Sequence, residues 1–268
     1  HIECSAMSLK LLGERFDIHG GGTDLLFPHH EAEIFQSECC LGHNPVVQYW
    51  IHNGMINVDG EKMSKSLGNF WTIKDALEQV DPLVLRYTMI NAPYRQPIDF
   101  NQKMLDESSI HHKRMVSVYG EALSSFGITD WEDVEILESA SKRFAAAMND
   151  DFNTRNAVVE VQLVVNSLRS LLDNGADTDI LAAGASWLSE FAGGILGLLP
   201  TDESIQKMMA EVESARSELE SIVEPLLKER AEARVSKDWS RADEIRDKLN
   251  ELGVVVEDSP DGPVWRLQ

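Results

Sequence analysis

Short apolar stretches separated by glycine and polar breaks fill the first part of the chain. Residues 16–19 are expected to form a short buried strand, residues 20–24 a loop, and Pro28 the first turn of a helix that runs to about Cys40. Residues 46–51, which are rich in β-forming side chains, predict a second strand. A strand, a glycine loop and a helix in this order are typical of an α/β nucleotide-binding fold.

From Thr72 onward the apolar residues recur mostly at helical spacing. Asp81 and Pro82 predict an N-cap followed by proline at the first helical position. Helices are expected at about 101–125, 135–149, 154–173, 178–198 and 203–223. Pro225 is expected to restart a helix after a kink, and another helix is expected at about 240–252. The Asp261-Gly262 pair between residues 254–257 and 264–267 predicts a terminal β-hairpin. This pattern favours a helical bundle followed by a small mixed module.

Composition adds two expectations about the chain as a whole. Its 268 residues are 43% hydrophobic, enough for two or three domains, and no apolar stretch approaches the length of a membrane helix. The sequence starts at His1, already inside a motif and with no signal peptide, so we expect a fragment of a longer protein. Cys39 and Cys40 are adjacent and poorly placed to pair with each other, and three cysteines cannot all pair. These features predict a cytoplasmic, reduced protein.

The formal net charge of −21 makes the chain a poor general binder of polyanions. The charge is unevenly distributed. Residues 121–224 carry 20 acids and 6 bases, which gives −14, whereas residues 228–248 carry 7 bases and 6 acids. Any nucleic-acid contact is therefore expected in the C-terminal tail, and the acidic middle is interpreted as a solvated helical surface.

The sharpest chemical signal is Lys-Met-Ser-Lys-Ser at 62–66, within a predicted mobile polar loop at 61–69. Lys62 and Lys65, three residues apart, can close over a triphosphate and stabilise the charge that develops as pyrophosphate leaves. The alternative is a solvated basic turn. The position of the motif, after a strand and before a helix-rich region, favours the phosphate-binding interpretation.

Two weaker signals precede this loop. In His-Gly-Gly-Gly-Thr-Asp at 19–24, Gly21 and Gly22 allow a nucleotide to approach the backbone, and Asp24 can accept from ribose hydroxyls; the alternative is an ordinary turn. His29 and Glu33 share a helix face and, with Cys4, offer nitrogen, oxygen and sulfur ligands suited to zinc. From spacing alone, however, Cys4, His29 and Glu33 are better explained as a buried thiol and a helix-capping cluster than as a zinc site.

Taken together, the three signals resemble the cysteinyl-tRNA synthetase family of class I aminoacyl-tRNA synthetases. The resemblance covers essentially the whole chain. Its blocks are HIECSAM at 1–7, FDIHGGGTDLLFPHHE at 16–31, EKMSKSLGNF at 61–70, MNDDFNT at 148–154, EAR at 232–234, KDW at 237–239 and WR at 265–266. The first two blocks are highly specific.

The resemblance implies the fold and the domain order. It predicts the α/β second half of a class I synthetase Rossmann-type catalytic domain, then a helical bundle and a small C-terminal mixed α/β module. The implied boundaries are residues 1–75 for the catalytic part with the KMSKS loop, 76–103 for a stem-contact connector, 104–225 for the bundle and 226–268 for an anticodon-binding module.

The resemblance also implies the reaction, which is ATP-dependent ligation of cysteine to its tRNA through a cysteinyl-adenylate. One Zn²⁺ per chain, held by Cys4, His29 and Glu33, would bind the thiolate of cysteine and so select it over serine. ATP with Mg²⁺ is a substrate, and Lys62 and Lys65 act on its phosphates. The family's fourth zinc ligand and its HIGH motif do not occur in these 268 residues, so we expect them to be inactive alone.

Further site residues follow from the same resemblance. His19 and His30 are expected to position the substrate, with core packing as the alternative. The GCA anticodon of tRNA(Cys) would be read by residues that can stack on bases, carry positive charge or accept hydrogen bonds from base edges: Arg234, Trp239, Asp243 and Asp258. The alternatives are core packing for Trp239 and a solvated helix charge for Asp243. The implied protein is a cytoplasmic monomer whose partners are tRNA(Cys), cysteine and ATP.

Two other functions stay open at this stage. Cysteine ligases of mycothiol synthesis share the catalytic core, but they lack a long anticodon-reading tail, so residues 226–268 argue against them. A non-catalytic RNA-binding module would keep only the role of the tail.

Overall fold

The computed structural model describes residues 1–58, 60–64, 68, 71–175, 178–236, 238–251, 254–259 and 262–267. The chain divides into two compact units, His1–Thr201 and Asp202–Gln268. The predicted division into four parts is finer than these two units and stays a prediction. Among the described residues no helix combines the length and apolar character needed to cross a bilayer.

The first unit opens with two helices and two parallel strands. In chain order these are α1 (Ile2–Leu12), β1 (Phe16–Gly22), a 3-10 turn (Thr23–Leu25), a π turn (Leu26–His30), α2 (Glu31–Leu41) and β2 (Val47–Asn53). Strands β1 and β2 pair in parallel, so His19 lies beside Trp50 and Gly21 beside His52. The predicted order of strand, helix and parallel strand is therefore confirmed.

One local prediction for this region was wrong, and one helix was missed. The glycines predicted to form a loop belong to β1, because their backbones pair with β2 up to Gly22 and Asn53. The helix predicted from Pro28 is confirmed: Phe27 (φ −133°, ψ 132°) is the one non-helical residue within Leu26–His30, and the turn from Pro28 continues into α2. Helix α1 was not predicted at all.

A three-stranded sheet and two short helices follow. Strand β3 (Ile56–Val58) lies between β4 (Glu61–Lys62), which is antiparallel to it, and β5 (Ile98–Phe100), which is parallel. Helices α3 (Ile73–Leu77) and α4 (Pro82–Ile90) lie between β4 and β5 along the chain. Asp81 caps α4 as predicted, since its Oδ1 accepts from the N–H of Leu83 at 2.8 Å. Thr72 and Asp75 form a capping box at the start of α3.

Four helices complete the first unit, and their positions confirm the predicted bundle. They are α5 (Gln102–Phe126), α6 (Glu135–Asn149), α7 (Thr154–Asn174) and α8 (Thr178–Leu188), the last continued by a π turn (Ser189–Ile195). Stacked and edge-on aromatic rings, Trp187 with Phe144 and Phe191, lie in its core. The indole N–H of Trp187 is satisfied by Ser141 Oγ at 2.8 Å, which makes its complete burial possible.

A polar clamp joins the segment before β5 to the corner between α6 and α7. The hydroxyl of Tyr94 donates to Asp151 Oδ1 at 2.8 Å, and the guanidinium of Arg95 donates to both oxygens of the same carboxylate. Asp151 and Phe152 both have left-handed backbones, with φ of 55° and 53°. Such conformations persist where surrounding contacts hold them, and the clamp supplies those contacts. The N–H of Gly54, just beyond β2, donates to the carbonyl of Tyr94 at 2.7 Å.

The second unit contains α9 (Asp202–Val235), α10 (Trp239–Glu251) and an antiparallel hairpin of β6 (Val254–Ser259) and β7 (Gly262–Leu267). The hairpin was predicted from the Asp-Gly turn. Helix α9 continues through Pro225, where a kink was predicted between two helical segments. The core of the unit consists of apolar side chains from α9, α10 and β6: Val223, Leu227, Ile245, Leu249 and Val254.

Candidate metal and substrate site

Glu33 lies at the centre of the candidate site. It is in the first turn of α2 and is only 4% exposed. Its Oε1 lies 2.6 Å from His29 Nε2, one helical turn earlier, and its Oε2 lies 3.4 Å from His19 Nε2 on β1. A buried carboxylate costs stability unless it is paired or binds a metal. The carboxylate and the two imidazoles around it therefore form a candidate binding site.

The three predicted zinc ligands come together. The ligand atoms of Cys4, His29 and Glu33, which we call the Cys4 triad, all lie within 4.8 Å of one another. Helix α1 supplies the sulfur, and the turn into α2 supplies the nitrogen and oxygen. Sulfur, imidazole and carboxylate together are a ligand set that suits zinc. On the other side of the ring, His29 Nδ1 lies 2.7 Å from His1 Nδ1, a contact of the kind that fixes the orientation of a metal-binding imidazole.

Glu33 Oε1 provides a direct test of whether a cation fits the triad. This oxygen is buried and accepts no hydrogen bond, although His29 Nε2 is close to it. An unsatisfied buried acceptor costs roughly 1–3 kcal/mol or more, and a bound cation would remove that cost. The residues present therefore fit a zinc ion.

A second group of rings lies next to the triad. His30 is 3% exposed, and its Nδ1 lies 2.8 Å from His52 Nε2 on β2. The ring of His19 stacks on Trp50 with centroids 4.7 Å apart and planes inclined by 19°. Burial of His30 lowers its pKa, and the nearby positive charge that His19 can carry lowers it further. His30 is therefore favoured as a neutral imidazole that can both donate and accept.

Sequence reasoning found His19 and His30 but not His1, Trp50 or His52. A usable signal existed for two of these residues. Strands were predicted at 16–19 and 46–51, and in the α/β fold proposed for them parallel pairing brings the C-terminal ends together; Trp50 and His52 lie at that end of β2. Helix α1 was not predicted, so nothing placed His1 near His29.

The predicted nucleotide glycines approach side chains of the site itself. A Cβ on Gly21 would lie 2.8 Å from His30 Cε1, so glycine here allows the buried ring to pack on β1. A Cβ on Gly22 would lie 2.4 Å from Asp24 Oδ1. Asp24 is exposed in the 3-10 turn after β1. Its predicted contact with a ribose stays a prediction.

The two lysines of the KMSKS motif are only partly described. Lys62 ends strand β4, where its backbone pairs with Asn57 of β3. Lys65 lies outside the described residues. The predicted polar loop at 61–69 was therefore wrong at its start, because Glu61 and Lys62 belong to β4 through their pairing with β3.

In the second unit, two predicted anticodon contacts share one face of α10. Trp239 is its first residue and is 59% exposed, which excludes the alternative that it packs in the core. Asp243, four residues later, is exposed and lies 3.3 Å from Arg246 Nη2 through its Oδ1. Arg234 is exposed in the last turn of α9, and Asp258 lies in β6 with its backbone paired to Pro263.

Comparison with known families divides the chain into three matched segments. Residues 1–110 match the model of the class I (C) tRNA synthetase catalytic domain. Residues 143–200 match the DALR domain, and residues 216–266 match the cysteinyl-tRNA ligase anticodon-binding domain.

Curated relatives match along the whole chain. A cysteine–tRNA ligase of Geobacter sulfurreducens is 42% identical over 277 residues, which cover 100% of this chain and 57% of the relative. One of Aromatoleum aromaticum is 46% identical over 268 residues, which cover 99% of this chain and 54% of the relative. The chain thus spans about half the length of the curated relatives it matches.

A solved structure supports the fold. The LeuRS in a LeuRS–tRNA–LeuAMS ternary complex of Agrobacterium radiobacter aligns with 66% of this chain and 25% of its own, at a TM-score of 0.54 and 20% identity. The predicted fold class, part of a nucleotide-binding α/β catalytic domain followed by a helical domain, is confirmed by these matches together with the observed elements.

Proposed function

The chain belongs to the cysteine–tRNA ligase family of class I synthetases, and on that premise we propose that it serves in the ATP-dependent ligation of cysteine to tRNA(Cys) through a cysteinyl-adenylate. The observation that carries this proposal is the Cys4 triad with its unsatisfied, buried Glu33 oxygen. The buried carboxylate of Glu33 would otherwise cost stability for no gain, which argues for a role in binding.

Cys4, His29 and Glu33 would hold one Zn²⁺ per chain. When bound, zinc would supply a soft Lewis acid that takes the thiolate of cysteine in preference to the hydroxyl of serine. The protein would contribute the orientation of the ligands. His1 contacts the far nitrogen of His29, and His19 contacts the second oxygen of Glu33, so two of the three ligands are held from behind.

The rings beside the triad would position the rest of the amino acid. His30, neutral because burial lowers its pKa, can pass a hydrogen bond between His52 and a substrate group. His19 is held flat against Trp50 and can present a ring nitrogen at the same point. Rings fixed by stacking and burial lose little freedom when substrate binds, which favours a defined position for its reacting carboxylate.

Adenylate formation would use the loop that begins at Lys62. The carboxylate of cysteine attacks the α-phosphate of Mg²⁺-bound ATP, and pyrophosphate leaves with the bonding electrons. Lys62 and Lys65 would stabilise the charge on that leaving group, with Lys65 the firmer phosphate contact. Gly21, Gly22 and Asp24 would lie along the nucleotide. The cysteinyl group then passes to the 3′ end of the tRNA.

We propose further that these 268 residues do not activate cysteine by themselves. They supply three ligands where the family uses four, and they contain no HIGH motif. The test is cysteine-dependent exchange of pyrophosphate into ATP, run in parallel on this chain and on a protein of the relatives' full length that carries it. Turnover only in the longer protein is the expected result. Robust exchange by the 268 residues alone would contradict the proposal.

The binding of cysteine thiolate to the metal can be tested against the binding of serine without requiring turnover. Zinc is replaced by Co²⁺ in the longer protein, and the thiolate-to-cobalt absorption band is followed while cysteine or serine is added. Cysteine should strengthen the band because a second thiolate joins that of Cys4, and serine should not. An equal response to both amino acids would remove the basis for selectivity.

The C-terminal tail bears on which molecule accepts the cysteinyl group. The match of residues 216–266 to an anticodon-binding domain favours tRNA as the acceptor and argues against a ligase of mycothiol synthesis. We propose that Arg234, Trp239, Asp243 and Asp258 read the GCA anticodon. A monomeric state and a cytoplasmic location stay predictions.

A further inference from the structure

Helices α9 and α10 are joined by a tight connection. The N–H of Asp238 donates to the carbonyl of Ala233 at 2.8 Å, before α9 has ended. Asp238 Oδ1 then accepts from the N–H of Arg241 at 3.1 Å, which caps the start of α10. The first turn of α10 therefore begins at a fixed point relative to the end of α9.

The guanidinium of Arg241 adds a second tie between these helices. Its Nε and Nη2 both donate to Glu229 Oε1 of α9, at 2.9 and 2.6 Å. Its Nη1 donates to Glu244 Oε2 of α10 at 2.8 Å. Three N–H groups of one planar cation thus join carboxylates on two helices. Charge-assisted hydrogen bonds of this kind are directional.

Apolar packing also joins the two helices. The α10 side of the contact is Ala242, Ile245 and Leu249, which are buried. Apolar burial is not directional, and Ala242 is the small residue nearest the start of the helix. In addition to the bonds of Asp238, Arg241 therefore supplies directional contacts between the two helices, and the exposed residues Trp239 and Asp243 flank it in sequence.

We propose that Arg241, through its pair with Glu229, is a positioning residue for anticodon reading. The pair sets how the first turn of α10 lies on α9, and so where Trp239 presents its ring and Asp243 its carboxylate. This inference rests on the proposed anticodon function. The two side chains are 40% and 45% exposed, and ion pairs so exposed add little to stability. Geometry, rather than folding, is what the pair contributes.

A direct role for Arg241 on the RNA backbone predicts the opposite response to a change at Glu229. If Arg241 bound a phosphate, Glu229→Gln would release the guanidinium and tighten binding to every RNA. If Arg241 positions the helix, Glu229→Gln weakens binding, and most strongly for the cognate anticodon.

The experiment uses the full 268-residue chain and a fluorescently labelled RNA hairpin with the anticodon stem and loop. Anisotropy titrations compare a GCA loop with a loop carrying one changed anticodon base. Glu229→Gln and Arg241→Gln should each lower the preference for GCA by roughly three- to tenfold, within the lower part of the range of couplings between contacting residues. Arg143→Gln, which breaks an equivalent pair with Glu160 between α6 and α7, is the matched control and should leave the preference unchanged.

Rescue separates positioning from a merely structural effect. Glu229→Arg combined with Arg241→Glu restores the pair with reversed polarity. Glu244→Gln is added so that the exchange does not place two carboxylates three residues apart. The exchanged variant should recover most of the preference for GCA, and circular dichroism melts should show that all variants are folded.

Three results would overturn the inference: tighter binding by Glu229→Gln, an unchanged preference in both single variants, or no recovery in the exchanged variant. Trp239→Ala and Asp243→Ala are run alongside. If neither alters the preference for GCA, the proposed anticodon function fails. If they alter it and Glu229→Gln does not, only the positioning role of Arg241 fails.

Discussion

His29 Nε2 lies 2.6 Å from Glu33 Oε1, yet this buried oxygen accepts no hydrogen bond. The two residues are one helical turn apart, so the backbone at the start of α2 brings them together without help from distant elements. Two ligand atoms that approach one another without hydrogen-bond geometry, with the sulfur of Cys4 nearby, are arranged as if around a common cation. This relationship is the basis of the first two predictions.

Replacing the sulfur ligand should weaken zinc binding. In Cys4→Ser a hard hydroxyl takes the place of a soft thiolate, and the affinity for zinc should fall at least tenfold, the loss typical of an altered outer-shell partner. Competition with a chromophoric chelator measures the affinity. Cys39→Ser is the control, because Cys39 is exposed on α2 and outside the triad. Equal zinc affinity in the two variants would return Cys4 to the status of a half-buried thiol.

Glu33→Gln should change stability in opposite directions with and without zinc. In the presence of chelator, the variant removes a buried carboxylate with an unsatisfied oxygen, so the chain should be equally or more stable. With zinc at a hundred times its Kd, the unsubstituted chain gains about 2.7 kcal/mol, and the variant should lose most of that gain. Thermal melts with zinc and with chelator measure both arms.

The control for this prediction is Glu31→Gln, an exposed carboxylate two residues away in the same helical turn. It should respond to zinc as the unsubstituted chain does. A Glu33→Gln variant that keeps the full zinc response would show that Glu33 is not a ligand.

Local sequence patterns predicted the helices of the bundle well, because each has its own apolar repeat and two of them have a side-chain cap. Asn101 and Asn153 cap α5 and α7 through their side chains, and both helices begin within a residue of the predicted start. The proximity of His29 and Glu33 was equally local, because they are one helical turn apart. Helix α1 was missed because its exposed apolar residues, such as Met7 and Leu11, do not give a clear amphipathic pattern.

The parts of the site that sequence could not place depend on register between distant segments. Trp50 and His52 join His19 and His30 only because β1 and β2 pair in parallel with His19 beside Trp50. No local pattern specifies that register. The loop predicted at the glycines of β1 was wrong for the same reason. Their freedom in φ and ψ suggests a turn, but pairing with β2 and the close approach of His30 keep them in the strand.

Lys65→Ala should slow adenylate formation. Lys65 lies outside the described residues, so this prediction rests on the sequence motif. A cation that acts on departing pyrophosphate stabilises the transition state more than the bound substrates, and kcat should fall by roughly 100-fold with little change in the KM for cysteine. Pyrophosphate exchange in a protein of the relatives' length measures both constants. Lys74→Ala, an exposed lysine of α3, is the control, and a change confined to KM would argue against the assigned role.

The polar clamp should make stability depend on acidity through Asp151. Hydrogen bonds from Arg95, and then from Tyr94, lower the pKa of Asp151 from 3.8 to about 2. A carboxyl group whose pKa is lower when folded binds protons more readily when unfolded, so its contribution is full above about pH 4 and is lost as the pH falls toward 2. The advantage of the unsubstituted chain over Asp151→Asn should shrink in this window.

Asparagine is the informative replacement at this position because it tolerates the left-handed backbone of residue 151, so the comparison isolates the charge. Urea unfolding at pH 6, 4 and 3 gives the stability difference. Asp150→Asn, one residue earlier and exposed, should show no such decline. A difference that stays constant with pH would mean that the clamp does not depend on the ionised carboxylate.

Anticodon reading should separate into stacking by Trp239 and base discrimination by Asp243. Trp239 is exposed at the start of α10, and stacking of one unpaired base on it should contribute about 1–3 kcal/mol, so Trp239→Ala should weaken aminoacylation for every anticodon variant. Asp243 can accept from a cytosine amino group or a guanine edge, so Asp243→Ala should reduce charging of the GCA anticodon most. A carboxylate that faces RNA without such a donor would only repel the phosphates.

Asp247→Ala, one turn further along α10, is the control. Cysteine-dependent pyrophosphate exchange needs no tRNA and should survive all three changes. If the order of preference among anticodon variants is the same with Asp243→Ala as without it, Asp243 is a solvated helix charge.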